Sequence, residues 1–430
     1  MHRILFPILL IYALSGCWFS EPADFITLER GPFRAAYLIP DPEKDFVRLE
    51  FIVQSGEFDN DGPEGLAHYV EHLAWLQQLD ARGRSSSRHS NAWTRNVATG
   101  YFISGPSKDF AKNLERLVSV TEPFGLPKSF MDEERGIVQR EYDKRVRENA
   151  YYQLYLDIER SLYGETGHSK RPIGTPETIS SFTLDLAREF HAKTHLLANT
   201  VLIASGNLTE AQLNAEIAKL GSSEDVPASL VPEFPSEDLY QEEDVFDDQI
   251  ASPELHYVKL VPVEGDWTDQ RLAVARSVLE DALDSTLPGG IATPLRFDAF
   301  LAESFDFDLY VHENTHLEMR FMARADRGVA LDDLQSAFEQ ALAAAEATGI
   351  PNATFEKIKK REITDIEAVE DPQGYTSSIV TGQVTYKRPP YGYSDLLVAA
   401  SAVTLDDINV LYRALIGDGR TVIRRVAPNP

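Results

Sequence analysis

Two histidines four residues apart with a glutamate between them, His68-Tyr69-Val70-Glu71-His72, are the part of this sequence best suited to chemistry. On an α-helix, residues four apart are turned about 40° from one another, so both imidazoles emerge on one face and can grip a single zinc ion. Glu71 stands beside them, where a carboxylate can take a proton from water polarised by that ion. A catalytic zinc needs a third protein ligand and an open position. Glu134 and Glu141 lie seven apart in a stretch of helical pattern, so two turns bring both carboxylates to nearly one face. One can ligate while the other supports the site by a hydrogen bond. For Glu134 an ion pair with a neighbouring arginine is the plainer alternative. His191 and His195 repeat the four-residue spacing without the glutamate and read as structural. His89 and His168 stand alone and read as hydrogen-bonding residues rather than ligands. No serine or cysteine is set up as a nucleophile.

These side chains need a helix with a defined start. Asp61-Gly62-Pro63-Glu64-Gly65 is a turn cluster from which the helix through His68 and His72 should begin. Alternating patterns predict strands over residues 25–30, 33–39, 46–54, 99–104 and 201–204. Helical periodicity predicts helices over 109–121, 129–148, 151–163, 184–195 and 209–220. Residues 224–248 hold several prolines, many carboxylates and no lysine or arginine, the composition of an exposed linker. The pattern then partly repeats, with strands over 256–261, 305–310, 317–322 and 421–425 and helices over 269–283, 331–347 and 353–369. A chain of 430 residues exceeds what one core usually serves. The pattern gives two mixed α+β halves of similar length. Residues 18–222 carry the metal site, 223–250 form the acidic linker and 251–430 have a similar fold without a metal site.

The inverted His-x-x-Glu-His motif and the Glu134/Glu141 spacing together resemble the pitrilysin/insulinase family of zinc metallopeptidases. The resemblance implies an α+β fold of two structurally similar domains, each a mostly antiparallel sheet packed with helices. It also implies one Zn2+ per chain on His68, His72 and Glu141, with Glu134 in support, Glu71 as the base, and cleavage of peptides as the activity. Ser90-Asn91-Ala92-Trp93-Thr94, followed by Thr99-Gly100-Tyr101-Phe102, resembles the family's Asn-Ala-x-Thr strand. It implies a sheet edge where substrate backbone adds as another strand beside Asn91, Ala92 and Thr94. Residues 164–174, through His168 and Pro172, resemble the segment ending in the family's helix-breaking glycine, and 190–206 its helix-to-strand passage. The resemblance covers residues 25–220 closely and the second half in general pattern.

Two departures matter. The interval from His72 to Glu141 is several residues short, with the loss around 74–89, a serine- and arginine-rich stretch that shapes the pocket floor. Substrate preference is therefore not carried over. In the second half the family uses an arginine and a tyrosine to bind substrate and the developing oxyanion. Pro294-Leu295-Arg296 resembles the arginine's setting, which leaves Arg296 as either a substrate-binding residue or surface charge. The tyrosine's place holds Phe305, which has no hydroxyl to donate, with Tyr310 as the substitute. Relatives enclose a chamber with four such domains, so a two-domain chain implies a second two-domain subunit. Phe305 favours a heterodimer; a homodimer is the alternative.

The formal net charge is −27 without a basic run, which disfavours a nucleic-acid partner. Arg3, the apolar stretch 4–14 and Leu14-Ser15-Gly16-Cys17 resemble a bacterial lipoprotein signal, which implies lipidation of Cys17 after cleavage. An ordinary secretory signal is the alternative. A lone cysteine excludes an internal disulfide. The expected location is the bacterial cell envelope, lipid-anchored and facing the periplasm, with the outer membrane favoured because Trp18 offers no acidic retention signal. Two other classes compete: a silent structural or assembly subunit that keeps the fold, and an envelope binding protein with a closed structural zinc. The four intact residues of the motif and the lack of a spare ligand count against them respectively.

Overall fold

The computed structural model describes residues 24–78, 89–125, 127–227, 229, 231–344 and 349–429. Cys17, the segment 1–17 and residues 79–88 of the shortened interval lie outside them. The first half is built on six strands: β1 (Ile26–Thr27), β2 (Ala35–Pro40), β3 (Phe46–Val53), β4 (Ser90–Thr94), β5 (Thr99–Pro106) and β6 (Thr200–Gly206). They pair in the order β1-β2-β6-β3-β5-β4, antiparallel except for β2 beside β6. Central β3 shows why. Its sequence, Phe-Val-Arg-Leu-Glu-Phe-Ile-Val, sends Val47, Leu49, Phe51 and Val53 to one face and Glu50 and Ile52 to the other, and all six are buried. On the first face lie α1 (Leu66–Gln78), α2 (Phe110–Val118) and α3 (Lys128–Tyr142); α4 (Ala150–Tyr163) departs to the other half. Helices α5 (Pro176–Ser181), α6 (Leu184–Thr194) and α7 (Glu210–Lys219) complete the layer.

The second half repeats the plan. Strands β7 (Leu239–Phe246), β8 (Glu254–Pro262), β9 (Ala302–His312), β10 (His316–Ala325) and β11 (Arg420–Ala427) pair in the order β7-β11-β8-β10-β9. Again one pair, β7 beside β11, is parallel. Helices α8 (Asp269–Leu283), α9 (Leu331–Ala344) and α10 (Asn352–Glu367) cover one face; α11 (Pro372–Thr385) leaves for the first half, and α12 (Tyr393–Ala402) and α13 (Leu405–Ile416) return.

The halves exchange a helix each way. Leu154, Ile158 and Leu162 of α4 bury themselves against Val258, Leu260, Val422 and Val426 of the second sheet. Val380 and Val384 of α11 pack on Ile39, Ile52, Val201 and Ile203 of the first. Each such fully buried aliphatic side chain contributes about 1.5–3 kcal/mol, so the exchange is an apolar joint rather than a tether. Among the described residues no helix is long and apolar enough to cross a membrane.

The α+β organisation in two similar halves agrees with expectation. Three details differ. The last third of the expected acidic linker is the edge strand β7. Its carboxylates are held by the basic strand beside it: Arg425 pairs with Glu242 at 2.8 Å and with Asp244 at 2.7 Å. Residues 370–416, unassigned from sequence, hold three helices; α11 and α12 lack a single-faced period, whereas α13 has one, with Ile408, Leu411, Tyr412 and Leu415 buried. The expected strand 25–30 shrinks to two residues.

Candidate metal centre

Helix α1 starts where the turn cluster placed it. Gly65, with φ +89°, makes the bend, and its backbone N–H donates to Glu57 Oε1 at 2.9 Å. A side chain there would not fit, since a Cβ would stand 2.7 Å from Gly174 Cα. Leu66, Val70, Leu73 and Ala74 face the core, which turns His68, Glu71 and His72 toward α3 and β4. Tyr69 fixes the approach of the two helices by donating its hydroxyl to the Met131 carbonyl at 2.8 Å.

The structure brings the four motif residues and Glu134 together. His68 Nε2 and His72 Nε2 are 3.2 Å apart, and Glu141 Oε2 lies 3.6 Å from the first and 3.9 Å from the second. The point equidistant from these three atoms is about 2.1 Å from each, within the ~2.0–2.2 Å of zinc–nitrogen and zinc–oxygen bonds. His72 Nδ1 donates to Glu134 Oε2 at 3.1 Å, which leaves Nε2 presenting its lone pair. Glu141 Oε2 is a buried acceptor with no hydrogen-bond donor among the described residues. Two imidazole nitrogens and a carboxylate oxygen crowded around one point are a donor set that a divalent cation satisfies. Zinc fits here.

Electrostatics sort the roles. Burial, aided by the His72 and Arg145 charges, pushes His68 down to about 3, so it is neutral, as a ligand must be. For His72 burial acts downward, but the hydrogen bond to Glu134 and the carboxylates of Glu71 and Glu141 outweigh it and raise the ring. Glu71 stands outside the triangle, its Oε2 3.9 Å from His68 Nε2 and 3.2 Å from the Thr94 hydroxyl that donates to it. Burial pushes Glu71 up to about 7, against the pull of His72 and Thr94. Thr94, expected only as a substrate contact, thus also orients the Glu71 carboxylate. Strand β4 that carries it is paired on one side only among the described residues; Asn91 is exposed and Ala92 packs on the first core.

Two contributors escaped the sequence reading. Arg145 stands 3.6 Å from Glu141, a pair that the i,i+4 spacing could have signalled. Tyr101, fully buried near Glu71, bonds its hydroxyl to His195 Nε2 at 2.8 Å. The control pair is structural: His191 Nε2 donates to the Val120 carbonyl at 2.8 Å, and burial lowers both rings. His168 Nε2 donates to the Pro232 carbonyl at 2.7 Å, and His89 is exposed. Arg296 sits in the second half, on the wide helical turn Thr293–Asp298, with its guanidinium 5.9 Å from the Phe297 ring. Phe305 packs on Phe321 on the core side of β9, whereas Tyr310 lies on the opposite face and is 45% exposed. Phe305 is therefore a packing residue, and Tyr310 stands on the exposed face of β9, as Ser304 does.

Two matching α+β halves, one presenting paired imidazoles and a carboxylate around a common point, define a two-lobed scaffold of metallopeptidase type. The family pattern described as "Insulinase (Peptidase family M16)" matches residues 36–163, and that described as "Peptidase M16 inactive domain" matches 181–362. The chain belongs to this pitrilysin/insulinase family of metallopeptidases. It is 27% identical over 238 residues to a Bacillus subtilis protein named uncharacterized zinc protease YmfH, 53% of either chain. The chain spans about half the length of the curated relatives it matches. In fold it is similar to a putative M16-like peptidase from Alicyclobacillus acidocaldarius, with a TM-score of 0.77, 19% identity, and coverage of 95% of this chain and 99% of that one. It is likewise similar to the periplasmic protease PqqL from Escherichia coli, with a TM-score of 0.79, 16% identity, and coverage of 94% of this chain and 48% of that one.

Proposed function

We propose that this chain is a zinc-dependent endopeptidase in which His68, His72 and Glu141 hold the ion. The observation that carries the reading is the triangle of two imidazole nitrogens and one buried carboxylate oxygen that accepts no hydrogen bond among the described residues, sized for one zinc. When bound, the ion supplies Lewis acidity to the scissile carbonyl and to the attacking water. Glu71 takes the water's proton and returns it to the leaving amine. Thr94 holds the carboxylate in place at 3.2 Å, and Glu134 keeps His72 in the ligating tautomer. An extended peptide adds to the outer edge of β4 beside Asn91, Ala92 and Thr94, binding through its main chain with loose side-chain selectivity. Arg296 contacts substrate from the second half.

The test is Glu71→Gln. The variant keeps its fold and one zinc per chain and loses about 10²–10⁴-fold in kcat on an unfolded peptide, the share of a general base. Chelation abolishes the wild-type activity. Wild-type turnover in Glu71→Gln would sink the assignment. A second reading, a silent subunit, draws on the inactive-domain description that the second half and part of the first match. Under it the wild-type chain binds zinc yet cleaves nothing, alone or with a partner.

A second two-domain subunit, another chain or another copy, closes the chamber in this proposal. In its support, PqqL is matched over only 48% of its length, and a relative is named as the beta subunit of the mitochondrial-processing peptidase. Cys17, by the same proposal, carries the lipid that anchors the protein in the envelope. Radiolabelled palmitate in the wild type but not in Cys17→Ser checks that anchor.

A further inference from the structure

We propose that four alternating charges, Arg171, Glu159, Arg320 and Glu318, form a positioning ladder by which the second half sets the metal-bearing helix. The inference rests on the zinc reading above and concerns residues that touch neither ion nor substrate.

The ladder begins at the start of α1. Arg171 is 6% exposed, and its backbone N–H and its two terminal guanidinium nitrogens are each tied to something different. Its backbone N–H donates to Glu64 Oε1 at 2.7 Å, immediately before Gly65. Its Nη2 donates to the Leu156 carbonyl of α4 at 2.6 Å, and its Nη1 to Glu159 Oε2 at 2.8 Å. Three residues on, Gly174 abuts the helix start so closely that a Cβ on it would stand 2.6 Å from the Glu64 carbonyl oxygen. Backbone against backbone leaves no compliant side chain between them, so a shift of the 171–174 segment must move α1 as well. His68 is the third residue of that helix.

The other end lies in the second sheet. Glu159 turns its second oxygen, Oε1, to Arg320 Nη2 of β10 at 3.3 Å. Arg320 Nε donates to Glu318, which is fully buried. Glu318 also accepts from His312 Nε2 of β9 at 2.8 Å and from the Tyr163 hydroxyl of α4. Helix α4, the one exchanged between halves, is thus clamped by both: through Glu159 to the metal half and through Glu159 and Tyr163 to the other. Burying such a chain costs desolvation that well-packed apolar residues would avoid. What it provides instead is fixed angle and register, since each planar guanidinium donates to its carboxylates in set directions.

The test uses the full chain and zinc itself, with affinity read by competition against a chromogenic chelator. Glu159→Gln and Arg320→Lys keep size; the lysine can still pair with Glu318 but cannot hold Glu159 at the same time. Each variant should weaken zinc by about three- to tenfold, short of the ~10–100-fold seen when a ligand's own hydrogen-bond partner is lost. Each should lower kcat with KM little changed. The double variant should be no worse than the poorer single, because both cut one chain. Lys44→Met, which breaks the separate inter-half pair with Asp371 at 2.9 Å, should leave zinc affinity as it was. A merely stabilising role would lower melting temperature without moving zinc affinity in the folded protein, and that result overturns the ladder. So does additivity, or an equal effect from Lys44→Met. If the wild type binds no zinc, the metal reading itself fails, and the ladder with it.

Discussion

Glu134 offers the sharpest quantitative handle on the metal centre. It is 5% exposed, accepts the His72 Nδ1 proton at 3.1 Å, and has no place in the ligand triangle. Its whole contribution therefore passes through the imidazole. Replacing it with glutamine keeps an acceptor oxygen but removes the charge, which about halves the strength of a charge-assisted bond. Zinc affinity should fall about tenfold, roughly 1.4 kcal/mol. Leucine leaves the Nδ1 proton in a buried site with no acceptor, so the ring is free to take the wrong tautomer; here the loss should approach 100-fold, about 2.7 kcal/mol. Competition titration against a chelator of known affinity reads both values, and circular dichroism confirms the fold. The order is the crucial part. If Glu134→Gln and Glu134→Leu bind zinc as tightly as the wild type, His72 is not oriented by this carboxylate. The triangle would then be a coincidence of packing.

Other expectations follow from single observations. Gly65→Ala places a methyl 2.7 Å from Gly174 Cα at φ +89°, and should cost about 2–3 kcal/mol or more in denaturant unfolding. Burial alone pushes Glu318 up, but the His312 hydrogen bond and the Arg320 charge hold it down at about 2. Its stabilisation is complete above the usual carboxyl value of 4.5 and fades as pH falls toward 2, on the order of 3 kcal/mol; Glu318→Gln should flatten that acid limb in urea midpoints measured against pH. If β4 binds substrate as an added strand, N-methylating one peptide N–H that pairs with it should raise KM about three- to tenfold. An N-methyl scan with no sensitive position would remove the strand-addition mode.

Much of the site was legible because its chemistry is helical and local. His68, Glu71 and His72 share one turn, and Glu134 and Glu141 share one face of α3, so spacing alone nominated all five. Thr94 was found on a motif but for another reason, since only the packing of β4 against α1 aims its hydroxyl at Glu71. The acidic stretch before residue 250 misled because composition reports charge and not pairing: Glu242 and Asp244 read as linker until β11, almost 180 residues later, supplies Arg425. Phe305 was legible as an apolar-face residue, since the alternation of Phe305, Phe307 and Leu309 with Asp306, Asp308 and Tyr310 puts it on the face of β9 that packs on Phe321.

By itself the sequence determined the α+β class, the doubling of the plan, the helix that carries the imidazoles and the residue types able to hold zinc. Those properties follow from periodicity and from spacing along one element. Tertiary structure decided what lies between elements. It brought α3 against α1 so that three donor atoms surround a point about 2.1 Å from each. It also sent α4 and α11 across to the opposite sheets, and it strung Arg171 to Glu318 through residues some 150 positions apart. Such contacts depend on how two surfaces complement each other in three dimensions, and a local pattern in one chain segment holds no record of its distant partner.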